Sequence, residues 1–130
     1  MNIEHVGVNY PDPVAAAEWY VKHLGMKIAR QSGAPNHARF LADARSQVMV
    51  ELYCNAKAPV PDYRAINPLV LHLAFFVDDV PGVRQKLLQA GATAEGEAFV
   101  SDSGDHLAML RDPWGFPVQL VKRAKPMIPA

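Results

Sequence analysis

Residues 69–79 read LVLHLAFFVDD, and residues 3–12 read IEHVGVNYPD. In each, a short apolar run carries one histidine, reaches a pair of turn or cap residues and opens into a helical pattern closed by a glycine. His5 and His72 lie 67 positions apart (72 − 5), about half of the 130-residue chain. Self-similarity on that scale points to a duplicated unit. The remaining landmarks keep the offset: Gly25 and Gly91 are 66 apart (91 − 25), and Glu51 and Gln119, within the apolar runs VMVELY and VQLVK, are 68 apart (119 − 51).

Working outward from the two histidines, Ile3 to Asn9 alternates. Val6 and Val8 share one face; Ile3, His5, Gly7 and Asn9 share the other. Asp12 offers an N-cap and Pro13 a first helical residue. Ala17, Tyr20, Val21 and Leu24 then recur as one stripe, so a helix over about 13–24 is expected, with Gly25 at its left-handed end. Met26 to Gln31, His37 to Ala42 and Gln47 to Tyr53 read as strands; in the last, Val48, Val50 and Leu52 oppose Gln47, Met49, Glu51 and Tyr53. Cys54 to Pro68, with Pro59, Pro61 and Pro68 and no period, reads as an irregular connector.

The second copy repeats this order. Leu71, Leu73, Phe75 and Val77 alternate with Val70, His72, Ala74 and Phe76, so His72 is expected within a strand. Asp79 caps a helix through Val80, Val83, Leu87 and Ala90, and strands follow near Thr93 to Val100, His106 to Arg111 and Pro117 to Lys122. The expected organisation is one α+β domain over residues 1–130, made of two tandem βαβββ modules. The first module is 1–54, the connector 55–68, the second module 69–123 and the tail 124–130.

Composition excludes several classes. Lys plus Arg and Asp plus Glu number 13 each, so no net field favours nucleic acid or an anionic membrane. No apolar run approaches the length of a membrane span. Cys54 is the only cysteine, which rules out an internal disulfide and a cysteine-based zinc cluster. A cytoplasmic, unprocessed protein is the expectation. Cys54 reads as a small packing residue rather than a nucleophile, since no base stands beside it in any motif.

His5, Glu51, His72 and Gln119 share one property: each is expected on a strand face turned away from the helix, at equivalent places in the two copies. A lone strand histidine is ordinarily a hydrogen-bonded structural residue, and a lone glutamate a solvated one. Their joint occurrence at repeat-matched positions favours another reading, in which two imidazoles, a carboxylate and an amide oxygen hold a divalent ion such as Zn, Ni, Co, Mn or Fe. Arg39, Tyr53, Phe76 and Arg111 are the candidate substrate-binding residues, the two arginines on comparable strands as partners for a carboxylate or phosphate. His37, His106 and Trp114 are further candidates for the cleft.

The spacing from His5 through WYVKHLGMKI, the strand VMVELY, the second start LHLAFFVDDV, the helix end QAGA and the segment LRDPWGFPVQLV together resemble the vicinal oxygen chelate superfamily, which includes glyoxalase I, bleomycin-resistance proteins, epimerases and extradiol dioxygenases. The resemblance covers nearly the whole chain. It implies paired βαβββ modules forming an open, cupped mixed sheet with the helices outside, around a metal held by first and last strands, at positions matched here by His5, Glu51, His72 and Gln119. The departure is Gln119, where the family usually carries a glutamate. An amide can coordinate through oxygen but cannot be a base at neutral pH, so ordinary glyoxalase I chemistry and a standard dioxygenase triad are both disfavoured.

What the resemblance implies is a small glyoxalase-like metalloenzyme. Its substrate would carry two adjacent oxygens, and isomerase, epimerase or lyase chemistry would run through a metal-stabilised enolate, with Glu51, transiently released from the metal, or a metal-bound hydroxide as base. The alternatives are a non-catalytic drug-binding protein of the bleomycin-resistance type, carried by Tyr53, Phe76 and Trp114, and an Fe(II) dioxygenase. The expected partners are a small molecule and a second copy in a homodimer.

Overall fold

A computed structural model describes residues 1–128; the last two residues of the expected tail lie outside the described residues. The chain divides into two units, Met1–Pro61 and Asp62 onward, and the division falls inside the proline-bearing connector. Each unit is a βαβββ module with its own mixed four-stranded sheet, which is the glyoxalase-type fold.

In the first unit the strands are β1 (His5–Asn9), β2 (Lys27–Gln31), β3 (Arg39–Ala42) and β4 (Met49–Tyr53), in the order β1-β4-β3-β2. The helix α1 (Pro13–Leu24) crosses between β1 and β2. Its limits follow from local chemistry: Asp12 accepts a hydrogen bond from the Ala15 N–H at 3.1 Å, and Gly25 takes the left-handed conformation with φ of 67°. The buried stripe is Ala16, Ala17 and Tyr20 flanked by Trp19, displaced from the expected one, and Val21 is exposed. Two adjacent alanines let the helix lie close to the sheet, and Trp19, edge-on to Tyr20, extends the buried stripe on the flank away from Val21. Beneath α1 lie Leu41 and Leu52, 1% and 2% exposed, each contributing about 1.5–3 kcal/mol by burial.

The second unit repeats the topology with β5 (Leu73–Phe76), β6 (Thr93–Val100), β7 (His106–Arg111) and β8 (Pro117–Lys122), ordered β5-β8-β7-β6, and with α2 (Val80–Gln89). Val80 and Leu87 of α2 are buried, as are Leu110, Val118 and Leu120 on the sheet face behind it. The DPWG segment closes the β7–β8 hairpin: Asp112 Oδ1 accepts from the Trp114 and Phe116 N–H groups, and Gly115 sits at φ of 90°. In β6, Glu95 pairs with Met109 and Phe99 with Leu107, so the three residues between them oppose one. That bulge, with Gly96 at φ of 71°, keeps Glu95 and Phe99 on the same face.

The start of the second module differs from the sequence expectation. β5 begins at Leu73, so Leu69 to His72 is not strand and His72 stands one residue before it. The cause is local capture of the backbone. Asn67 accepts the Leu69 N–H on its side chain and the Val70 N–H on its carbonyl, both at 2.9 Å, and His72 Nδ1 lies 2.7 Å from the Pro68 carbonyl oxygen. Residues 63–72 therefore form an arch, opened by a 3₁₀ turn at Tyr63–Ala65.

Candidate functional site

β1 and β4 run parallel with Gly7 opposite Glu51, and β5 and β8 run parallel with Ala74 opposite Gln119. His5 lies two residues before Gly7, and His72 two before Ala74. The two copies thus present histidine and Glu51 or Gln119 at matching places, each in its own unit.

In the first unit the sheet face away from α1 carries His5, Phe40, Glu51 and Tyr53. Phe40 is opposite Glu51 across β3 and β4, and the His5 ring meets Phe40 edge-on at 5.4 Å between centroids. His5 Nε2 and Glu51 Oε2 stand 3.3 Å apart. The other ring nitrogen, Nδ1, is 2.9 Å from Glu4 Oε2. A carboxylate only accepts, and one faces each ring nitrogen; an ion seated between Nε2 and Glu51 would leave the proton on Nδ1, donated to Glu4. Glu4 had no part in the sequence reading; the signal available was an acidic neighbour that can hold the second nitrogen of a ligand histidine. Tyr53 lies over Gly7: a Cβ there would stand 3.1 Å from the Tyr53 ring. This seat for the aromatic ring exists because residue 7 has no side chain.

In the second unit the corresponding face and the arch line an open cavity of about 280 Å³. Its apolar walls are Pro68 and Leu69 from the arch and Phe99, Leu107 and Met109 from the sheet; its polar groups come from Asn67, Glu95 and Gln119. Phe76, on the β5 face shared with Ala74, is 65% exposed. Because a carbonyl oxygen only accepts, the contact with Pro68 places the His72 proton on Nδ1 and the lone pair of the neutral ring on Nε2.

The two arginines part company. Arg111, expected to bind substrate, is buried and spends its guanidinium on the protein. Nη1 donates to the Tyr63 carbonyl at 2.7 Å and the Gly115 carbonyl at 3.1 Å, Nη2 donates to the Ile66 carbonyl at 2.9 Å, and Nε donates to Glu95. It fastens the arch to the sheet rather than facing a ligand. Arg39 is paired with Leu52 and so projects from the sheet on the side of α1, away from Phe40 and Glu51. Its Nη1 donates to the carbonyls of Ser32, His37 and Ala38. His37 sits in that loop at φ of 49°, and His106 opens β7 at an exposed position. Cys54 is a free, half-buried thiol.

Among the described residues no group of three or more His, Cys, Asp or Glu side chains forms a set that holds a metal ion. Within the first unit the donor pair is His5 and Glu51. Their 3.3 Å separation fits two ligands of one ion, each about 2.0–2.2 Å from it. Among the described residues no helix is long and apolar enough to cross a membrane.

Two βαβββ modules with strand orders β1-β4-β3-β2 and β5-β8-β7-β6 define a glyoxalase-type fold. Solved structures agree. A glyoxalase/bleomycin resistance protein/dioxygenase family enzyme from Burkholderia phytofirmans PsJN is 17% identical with a TM-score of 0.76, over 93% of this chain and 98% of that one. The glyoxalase family protein from Enterococcus faecalis is 27% identical with a TM-score of 0.69, over 93% and 97%. TnmS3, an antibiotic binding protein from Streptomyces sp. CB03234, is 19% identical with a TM-score of 0.73, over 95% and 97%. Residues 2–120 match the family model, and the chain belongs to the Glyoxalase/Bleomycin resistance protein/Dioxygenase superfamily. No curated protein matches it significantly.

Proposed function

We propose that this chain is a divalent-metal enzyme of the superfamily, acting on a small substrate with two adjacent oxygens by isomerase, epimerase or lyase chemistry. The observation that carries the reading is the His5–Glu51 pair, 3.3 Å apart, with Glu4 holding the far nitrogen of the imidazole. His5, Glu51, His72 and Gln119 are the proposed ligands. The protonated Nδ1 of His72, turned to Pro68, supports its place in the set, because the remaining nitrogen is the one that ligates.

When bound, a divalent ion supplies Lewis acidity to adjacent substrate oxygens, which acidifies the neighbouring C–H. The chain supplies the rest. Glu4 fixes the tautomer and orientation of His5. Glu51 is the base that accepts the substrate proton and returns it to a neighbouring atom. Gln119 orients through its amide and takes no proton at neutral pH. Tyr53 and Phe76 are the proposed contacts to the substrate body. A homodimer is part of the proposal and is read by light scattering.

The test is a titration of chelator-treated protein with Zn, Ni, Co, Mn and Fe(II), read by elemental analysis and, for Co, by its visible absorption. Stoichiometric binding that is lost in His5→Ala and in His72→Ala is expected. No stoichiometric ion in the wild type, or a His72→Ala variant with unchanged metal content and turnover, would sink the reading.

A second reading, a non-catalytic small-molecule binder, is favoured by one specific observation: the second unit's cavity has largely apolar walls and carries an amide where a base would act. It requires ligand binding that is indifferent to chelator.

A further inference from the structure

The cavity of the second unit contains an acceptor to which neither the metal reading nor the family match gives a role. Glu95, 39% exposed at its side chain, lines the cavity and is bonded through Oε1 to Arg111 Nε. That bond leaves Oε2 as the carboxylate oxygen available to a ligand. Asn67 Oδ1 is taken up by the Leu69 N–H. Gln119 offers an amide from β8, two strands across the sheet with Met109 of β7 between.

Charge decides what that acceptor takes. Arg111 already balances Glu95, and all of its named contacts go to the protein, so the guanidinium is not a site for a ligand anion. Among the described residues no lysine, arginine or histidine lines the cavity, and an anion would meet a carboxylate. A cation would add a charge that the balanced pair does not compensate. A neutral hydroxyl or N–H fits, because it satisfies Oε2 without changing the charge. Size sets the body of the ligand: a dry apolar cavity of about 150 Å³ holds benzene, and this one is about 280 Å³. The Phe99 ring and the polarisable Met109 thioether suit a flat aromatic body.

We propose that the second unit's cavity selects an uncharged, flat, one- or two-ring ligand by a hydrogen bond from the ligand's hydroxyl or N–H to Glu95. Glu95 is a specificity-determining residue, and Arg111 positions it. This deepens the reading of the same cavity as a small-molecule site, since Gln119 lines it, but it does not depend on an ion.

The experiment uses the full chain freed of metal by chelator and three probes of nearly one size, 2-naphthol, 2-methoxynaphthalene and 2-naphthoate, titrated by ligand fluorescence and calorimetry. The wild type is expected to bind 2-naphthol at least about tenfold more tightly than 2-methoxynaphthalene, the order of a charge-assisted hydrogen bond, and to bind 2-naphthoate no better than the ether. Glu95→Gln keeps an oxygen for Arg111 and turns an amide N–H₂ toward the cavity, so the preference for the naphthol should fall within about twofold. Met109→Trp, which leaves the Arg111 and Glu95 side chains in place, should abolish binding of all three.

A wild type without the naphthol preference, a Glu95→Gln variant that keeps it, or millimolar or weaker binding of every probe would overturn the proposal. Metal content is measured separately on the same proteins. Probe selectivity without stoichiometric metal would leave this inference standing while the metal reading fell; stoichiometric metal without selectivity would do the reverse.

Discussion

Replacing Arg111 with methionine removes a guanidinium that holds three carbonyls and a carboxylate while keeping an unbranched, buried stem. The Glu95 partner is 39% exposed and rehydrates when abandoned, so the ion pair itself is worth about 1 kcal/mol or less. The carbonyls matter more. Gly115 and Tyr63 are buried, and their oxygens, with that of Ile66, lose a charged donor at 3.1, 2.7 and 2.9 Å. Hydrogen bonds to a charged group contribute about 1.5–3 kcal/mol each, but they share one side chain and are not additive, so the whole loss is about 3–5 kcal/mol. Arg111→Lys keeps the charge but cannot reproduce the planar fork, and about half of that loss is expected.

Urea denaturation followed by tryptophan fluorescence reads this directly, since Trp114 lies beside the Asp112–Phe116 turn and Trp19 in the first unit. With a slope of about 2 kcal/mol per molar, the Met variant's midpoint should fall by about 2 M. Hydrogen exchange supplies a local reading: the Ile66 and Val70 amides, bonded to Tyr63 and Asn67 within the arch, should lose protection. A cost under about 1 kcal/mol with those amides still protected would refute the claim that Arg111 fastens the arch. Glu95→Gln costing as much as Arg111→Met would instead assign the stability to the ion pair.

Gly115→Ala should destabilise by about 2 kcal/mol or more, because φ is 90° and the added Cβ would sit 3.1 Å from the Arg64 backbone nitrogen; thermal unfolding checks it. Asp105 accepts hydrogen bonds from the Ala124 backbone N–H and from Arg123, which hold its carboxyl below the ordinary value of 3.8. A lowered folded-state pKa gives stability that is present above the unfolded value and is lost as pH falls below 3.8 through the folded one; Asp105→Asn should flatten that part of an acid-unfolding curve. On the metal reading, Glu4→Gln should weaken ion affinity by about 10- to 100-fold with the fold intact, measured by competition with a chelating dye.

Helix α1 was legible to the residue, since Asp12, Pro13 and Gly25 mark its ends within a few positions of themselves. The strands Thr93–Val100, His106–Arg111 and Pro117–Lys122 were equally legible from alternation between turn signals. The pairing of Glu51 with Gly7, and of Gln119 with Ala74, follows the repeat offset that the histidines announced. His72 was less legible. Alternation continues through Leu69 to Leu71, but Asn67 competes for the backbone N–H groups that a strand would use. The two arginines looked alike because both stand on the strand following a turn in comparable copies. Register separates them: Arg39 shares a face with Leu52, Arg111 with Met109.

The amino-acid order alone determined the duplication, the two helices, most strand limits and the family, because caps, turns and side-chain period act between residues a few positions apart. Tertiary structure decided which polar groups are spent and which remain to act. Arg111 reaches the carbonyls of Tyr63 and Ile66, 48 and 45 residues earlier, and so became a fastener, while Glu95, bonded to it through one oxygen, lines the cavity. A hydrogen-bond donor satisfies whichever acceptor the folded chain returns to it, and that return is set by sheet pairing across the whole module rather than by any neighbour in sequence.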